Sequence, residues 1–96
     1  MASYDPILGW DGETTYNVYP VPNNGTFTAS ISNPVEQLYT ISIYNSIGAL
    51  VYEKKDVLVN GITEEVIEFD HVVTGIYHVV FWNEDQRVVK KVPVNR

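Results

Sequence analysis

Leu38-Tyr39-Thr40-Ile41-Ser42-Ile43-Tyr44, LYTISIY, alternates large apolar side chains with small hydroxyl ones. A period of two puts Tyr39, Ile41 and Ile43 on one face of a strand and Thr40 and Ser42 on the other. Residues 26–32, TFTASIS, repeat the pattern, with Phe27, Ala29 and Ile31 inward and Thr26, Thr28, Ser30 and Ser32 outward. Outward from these two runs, no segment of ten residues carries apolar side chains at helical spacing. Further short runs lie at 16–19, 49–54, 63–69, 76–82 and 86–94. Ile67 and Phe69 face inward on the third of these, and Tyr77, Val79 and Phe81 on the fourth. Turn residues separate the runs: Asn45-Ser46-Ile47-Gly48, Asn60-Gly61, Thr74-Gly75 and Asn83-Glu84-Asp85. About seven short strands predict an all-β fold, an immunoglobulin-like antiparallel β-sandwich. Residues 1–15 lack alternation and contain Pro6, Gly9 and Gly12, so they read as a linker or loosely docked arm before a domain at 16–96.

Between the first two strands stands VYPVPNNGTF, residues 18–27. Pro20 and Pro22 donate no backbone hydrogen bond and are excluded from a central strand. The expected result is a stiff, extended Tyr19-Pro20-Val21-Pro22 followed by a sharp turn at Asn23-Asn24-Gly25. Gly25 would take the positive φ and Tyr19 would pack beneath the corner. Asn24-Gly25-Thr26 also matches a glycosylation sequon, but a turn alone accounts for those residues.

Ninety-six residues with 45% hydrophobic side chains suffice for one core without metal or disulfide. The absence of cysteine leaves the redox compartment undetermined. The start has no signal-peptide pattern, and the chain reads as a domain cut from a longer protein. Residues 1–86 hold all twelve acids against Lys54 and Lys55, a charge of −10; the last ten residues hold Arg87, Lys90, Lys91 and Arg96 and no acid. An acidic body argues against nucleic acid as a partner.

Catalytic and metal chemistry find little support. His71 and His78 are the only histidines, and with Asp70 they show no metal-ligand spacing. Ser30, Ser32, Ser42 and Ser46 sit on strand faces or turns, not in a glycine-flanked elbow. Glu64 and Glu68 share a strand face that reads as solvated. No enzyme activity and no cofactor are expected. Trp10 and Trp82 could stack on a glycan, but mutual packing explains them as well. The terminal run Val88-Val89-Lys90-Lys91-Val92-Pro93-Val94-Asn95-Arg96 puts lysines and a proline where edge strands resist edge-to-edge pairing. It also suits a handle read by an acidic receptor or by strand addition.

Four blocks in order, VYPVPNNGTFT, ISIYNSIGALVYE, TGIYHVVF and QRVVKKVPVNR, resemble the C-terminal sorting domain of the type IX secretion system of Bacteroidetes. The resemblance covers residues 16–96. Tyr19, Pro20, Pro22 and Gly25 match its Tyr-Pro-Asn-Pro-x-x-Gly block, with Val21 where asparagine is commoner. Ile43, Tyr44, Gly48, Leu50 and Val51 match its glycine turn, and Gly75, Tyr77 and Val79 its Gly-x-Tyr strand. Lys90, Lys91 and Val92 match its basic terminal strand. Pro93 departs from an aliphatic position and puts pairing at the last rung in doubt.

The resemblance implies a non-enzymatic export signal. Its cargo would cross the periplasm and then the outer membrane through the secretion machinery, to be secreted or attached to the cell surface. In many cargoes a sortase-like peptidase removes the domain, which here implies a cut before Tyr16, around residues 8–15 or upstream. The expected recognition residues are Val88, Val89, Lys90, Lys91, Val92, Val94 and Arg96. No direct membrane insertion is expected, and a homodimer through edge strands stays open. The rival expectation is an immunoglobulin-like accessory or glycan-binding domain that stabilises a secreted enzyme.

Overall fold

The computed structural model describes residues 14–68 and 73–95. Trp10, His71, Asp70, Phe69, Arg96 and residues 8–13 of the expected cleavage stretch lie outside the described residues, and Thr15 at its end opens β1. The described chain is all-β: β1 Thr15–Tyr19, β2 Thr26–Tyr44, β3 Leu50–Glu68, β4 Gly75–Trp82 and β5 Arg87–Val94. Five strands therefore stand where seven were expected. Two pairs of expected strands run on into each other, giving β2 and β3 nineteen residues each.

The reason lies in how the turn residues are used. Asn33 pairs with Gly61 and Gln37 with Val59, so residues 34–36 on β2 bulge out against Asn60 on β3. Pro34 falls in this unpaired stretch, where its missing N–H costs no ladder bond. Gly61 takes φ +84° there. The Asn33 carboxamide oxygen accepts from Val35 N at 2.9 Å and its nitrogen donates to Tyr39 Oη at 3.2 Å. The chain bends at this point without reversing. A second bulge admits Asp56, at φ +58°, between the Ile41–Lys54 and Tyr39–Val57 pairs.

The result is one antiparallel sheet, curled on itself, in place of two separate sheets. β1 and the C-terminal half of β3 flank the first half of β2; β4 and the N-terminal half of β3 flank the second, and β5 lies outside β4. The expected inward residues line the concave side. Phe27, Ala29, Ile31, Tyr39, Ile41, Ile43, Ile67, Tyr77, Val79 and Phe81 are all buried in one cluster with Val57, Val59, Val92 and Val94. Tyr16 closes the space between the halves, its ring centroid 5.3 Å from Phe81 and 6.0 Å from Tyr39. At the other side, Lys54 reaches Glu65 across the bend of β3 at 2.6 Å.

The first corner differs from its sequence reading. Tyr19–Pro20 and Val21–Pro22 are cis, in place of the extended segment expected. Tyr19 is 44% exposed on the convex face, and its hydroxyl donates to Glu64. Gly25 does hold the positive φ, at +111°.

Candidate functional site

β5 follows β4 through the turn Asn83-Glu84-Asp85-Gln86. Asn83 N donates to Gln86 O at 2.9 Å, and the Asn83 carboxamide oxygen accepts from Asp85 N and Gln86 N at 2.8 and 2.9 Å. Its nitrogen donates to Gln37 Oε1 at 3.1 Å, tying the turn to β2. Gln86 Oε1 accepts from the hydroxyls of Tyr16 and, at 3.4 Å, Tyr39. Burial holds the Tyr16 phenol above its ordinary pKa, and the hydrogen bond to Tyr39 adds to this. The Tyr16 phenol is thus a neutral donor at physiological pH, and the start of β5 is fixed.

Its far end is fixed by the proline corner. Asn23 N donates to Pro93 O at 3.2 Å, and Asn95 N donates to Asn23 O at 2.7 Å, making a parallel bridge with Val94. Asn23 is itself locked: its nitrogen donates to Pro20 O at 3.1 Å and its oxygen accepts from Gly25 N at 2.9 Å. Pro93 faces Ile76 in the ladder, and Val94 still pairs with Gly75. Because the Pro93 carbonyl points to Asn23, its missing N–H lies on the side away from β4. Pro93 therefore breaks no bond of the β4–β5 ladder.

Between these two anchors the strand has two sides. Val92 and Val94 are 0% and 2% exposed and belong to the core, so they offer a partner no side chain. Val88 and Lys90 are half-buried on the same side. Arg87, Val89 and Lys91 face outward and are exposed. Of the expected recognition residues among those described, Val89 and Lys91 are exposed; Arg87, which was not expected, faces out beside them. Beside them, Tyr44, His78, Val80, Arg87 and Val89 line a shallow groove of about 340 Å³.

Trp82 borders the same convex face. It is 38% exposed, and its indole N–H donates to Ser42 Oγ at 2.9 Å, which in turn donates to Glu53 at 3.0 Å. Among the described residues no group of three metal-ligating side chains occurs. His78 lies outward beside Tyr44 and opposite Lys91.

Tyr19, Pro20, Pro22 and Gly25 form the corner; Gly48, at φ +86°, closes the β2–β3 turn, where Asn45 Oδ1 accepts from Ile47 N and Ala49 N at 3.1 and 2.9 Å. Gly75 and Tyr77 lie on β4 against Val94 and Val92. Three of the four matched blocks thus meet at the end of β5. Asn23, Asn83 and Gln86 were missed by the sequence reading. The two asparagines showed only as turn residues and Gln86 carried no signal, because their second partners lie far along the chain.

The sequence profile of one family, a secretion system C-terminal sorting domain, matches residues 17–95. A search of curated proteins finds no match. The matched span includes the corner, the bent hairpin and the whole of β5, and the chain belongs to the secretion system C-terminal sorting domain family.

Proposed function

We propose that this chain is the folded signal by which a type IX secretion machine selects its cargo, and that the machine reads the outward side of β5. The observation that carries the reading is a basic strand held at both ends within a matched sorting domain: Arg87, Val89 and Lys91 face solvent between the Gln86 and Asn23 anchors. The partners are translocon components in the periplasm and outer membrane. The cargo passes through the periplasm to the outer-membrane surface or the medium. Where a sortase-like peptidase acts, it cuts before Tyr16. No reaction and no cofactor are assigned to the chain.

The test fuses residues 1–96 behind a signal peptide and a monomeric reporter. Reporter outside the cell only when the secretion system is intact supports the reading. Reporter trapped in the periplasm of both hosts, with the domain folded, overturns it. Deleting the last ten residues cannot identify the recognised surface, because it also removes Val92 and Val94 from the core. Arg87→Glu with Lys91→Glu leaves those valines in place and reverses only the outward charge. Glycan binding has one supporting observation, the exposed edge of Trp82 near Tyr44 and Arg87. Quenching of Trp82 fluorescence by glycan, with export unchanged on deletion, would favour that rival.

A further inference from the structure

The convex face of β4 and β5 holds a small apolar contact outside the core. By alternation His78, Val80 and Trp82 point outward on β4, and Arg87, Val89 and Lys91 on β5. Val80 is nevertheless only 2% exposed, and it does not belong to the core cluster. It is the floor of the groove described above. Tyr44 of β2 stands on one side of it, Arg87 and Val89 of β5 on the other, and Trp82 at the end nearest the Asn83–Gln86 turn. Val89 and Trp82 keep 44% and 38% of their surface open to solvent. The rim is cationic. The two ion pairs among the described residues use Lys54 and Lys55, and Arg87 and Lys91 take part in neither. Nearby acids are engaged elsewhere: Glu84 and Asp85 line a separate hollow with Leu38, and Glu53 accepts from Ser42.

The chain itself supplies a matching segment. Residues 1–13 contain Asp5, Asp11 and Glu13 and no basic side chain, with Ile7, Leu8 and Trp10 among them. This segment joins the sheet beside the groove. β1 begins at Thr15 and lies against β5, the Tyr16 hydroxyl donates to Gln86, and Arg87 is the next residue. From Tyr16 back to Trp10 an extended chain spans up to ~20 Å. Crossing from β5 to β2 takes two strand spacings, about 10 Å. Trp10 therefore reaches Val80 and Tyr44 while Asp11 and Glu13 stay beside Arg87. The alternative surface is unfavourable. The outward face of β1, the first half of β2 and the second half of β3 carries Glu64 and Glu68 and no basic residue.

We infer that residues 7–13 of this chain dock on the convex groove of β4 and β5, with Trp10 over Val80 against Tyr44, and with Asp11 and Glu13 beside Arg87. Tethering makes the contact intramolecular, so a small apolar area and exposed ion pairs suffice to hold it. The contact concerns the folded chain alone and does not depend on the sorting reading. Because it covers Arg87 and Val89, the docked segment and any partner that reads the outward side of β5 exclude each other.

Nuclear magnetic resonance of the 96-residue chain tests it. Nuclear Overhauser contacts are expected from the Trp10 indole to the methyl groups of Val80 and Val89 and to the Tyr44 ring. Trp10→Ala should shift the Val80 and Val89 resonances and leave Val66, on the acidic face, in place. Raising salt from about 0.05 M to about 0.5 M weakens the contacts, because the ion pairs are exposed and screened. Arg87→Glu with Lys91→Glu should lower the Trp10–Val80 contact about 5-fold. Adding Asp11→Lys and Glu13→Lys to that chain should restore it. Asp11→Lys with Glu13→Lys alone alters nothing within the five strands. It repeats the loss where circular dichroism shows the β5 variant unfolded. Trp10 without contact to Val80 or Val89 at low salt would overturn the inference. So would contacts in a folded chain that charge reversal leaves unchanged, or that the compensating reversal does not restore.

Discussion

Asn23→Ala should detach the end of β5. The Asn23 side chain makes its hydrogen bonds within the corner, and the corner's backbone bonds to β5. Its loss leaves Pro20 O without the carboxamide donor and Gly25 N without its acceptor, at a residue only 7% exposed. An unsatisfied buried group costs about 1–3 kcal/mol. Water reaches the exposed Pro20 side, so the sum is taken near the lower end, about 2–3 kcal/mol. For a domain of this size that lowers the melting temperature by roughly 8–20 °C. The bonds Asn23 N–Pro93 O and Asn95 N–Asn23 O then lose their fixed partner. Thermal unfolding followed by circular dichroism measures the first effect. Amide exchange of Asn95 measures the second, with protection expected to fall at least about 10-fold through local opening. Asn23→Asp keeps the acceptor for Gly25 and loses only the donor to Pro20, so it should fall between the two. A melting temperature within about 2 °C of the original, with Asn95 still protected, would refute the reasoning that the side chain secures the corner.

Val92→Ala, at a fully buried site, should destabilise by about 2 kcal/mol in chemical denaturation, whereas Val89→Ala should change stability by less than about 0.5 kcal/mol. Tyr39→Phe removes the acceptor of Asn33 Nδ2 and a donor to Gln86, and a loss of about 1–2 kcal/mol is expected by the same measurement. Tyr16 has its pKa raised by burial and by the Tyr39 hydrogen bond. Its contribution is therefore complete below the unfolded value of about 10 and declines as pH rises above it; melting temperatures should fall from pH 10 upward, and less so in Tyr16→Phe. Lys54→Ala removes an exposed ion pair with Glu65 and should cost less than about 1 kcal/mol, with high salt reducing the difference.

By itself the sequence determined the all-β class and the inward side chains of the alternating runs, but not Val57 and Val59, which lie where no strand was read, nor Val92 and Val94. Two-residue alternation is a local property of the strand, and the buried set follows it from Phe27 to Phe81. The turns at Asn45–Gly48 and Asn83–Asp85 were legible for the same reason, since asparagine and glycine satisfy a reversal with their own atoms. The order of four blocks also placed the chain in its family. The number of strands was not legible. Asn33-Pro34 and Asn60-Gly61 carry the same turn residues as a true reversal, and only their being opposite each other across β2 and β3 makes them a shared bend. Nor was the division of the terminal strand legible. Lys90 and Lys91 look alike in sequence, yet curling of the sheet turns Val92 and Val94 into core and leaves Arg87, Val89 and Lys91 outside. The corner at Pro20–Asn23 announced rigidity, but what it holds lies seventy residues away in the chain. That partner was decided by the closing of the sheet, because a backbone bond between Asn23 and Asn95 leaves no mark on either side chain.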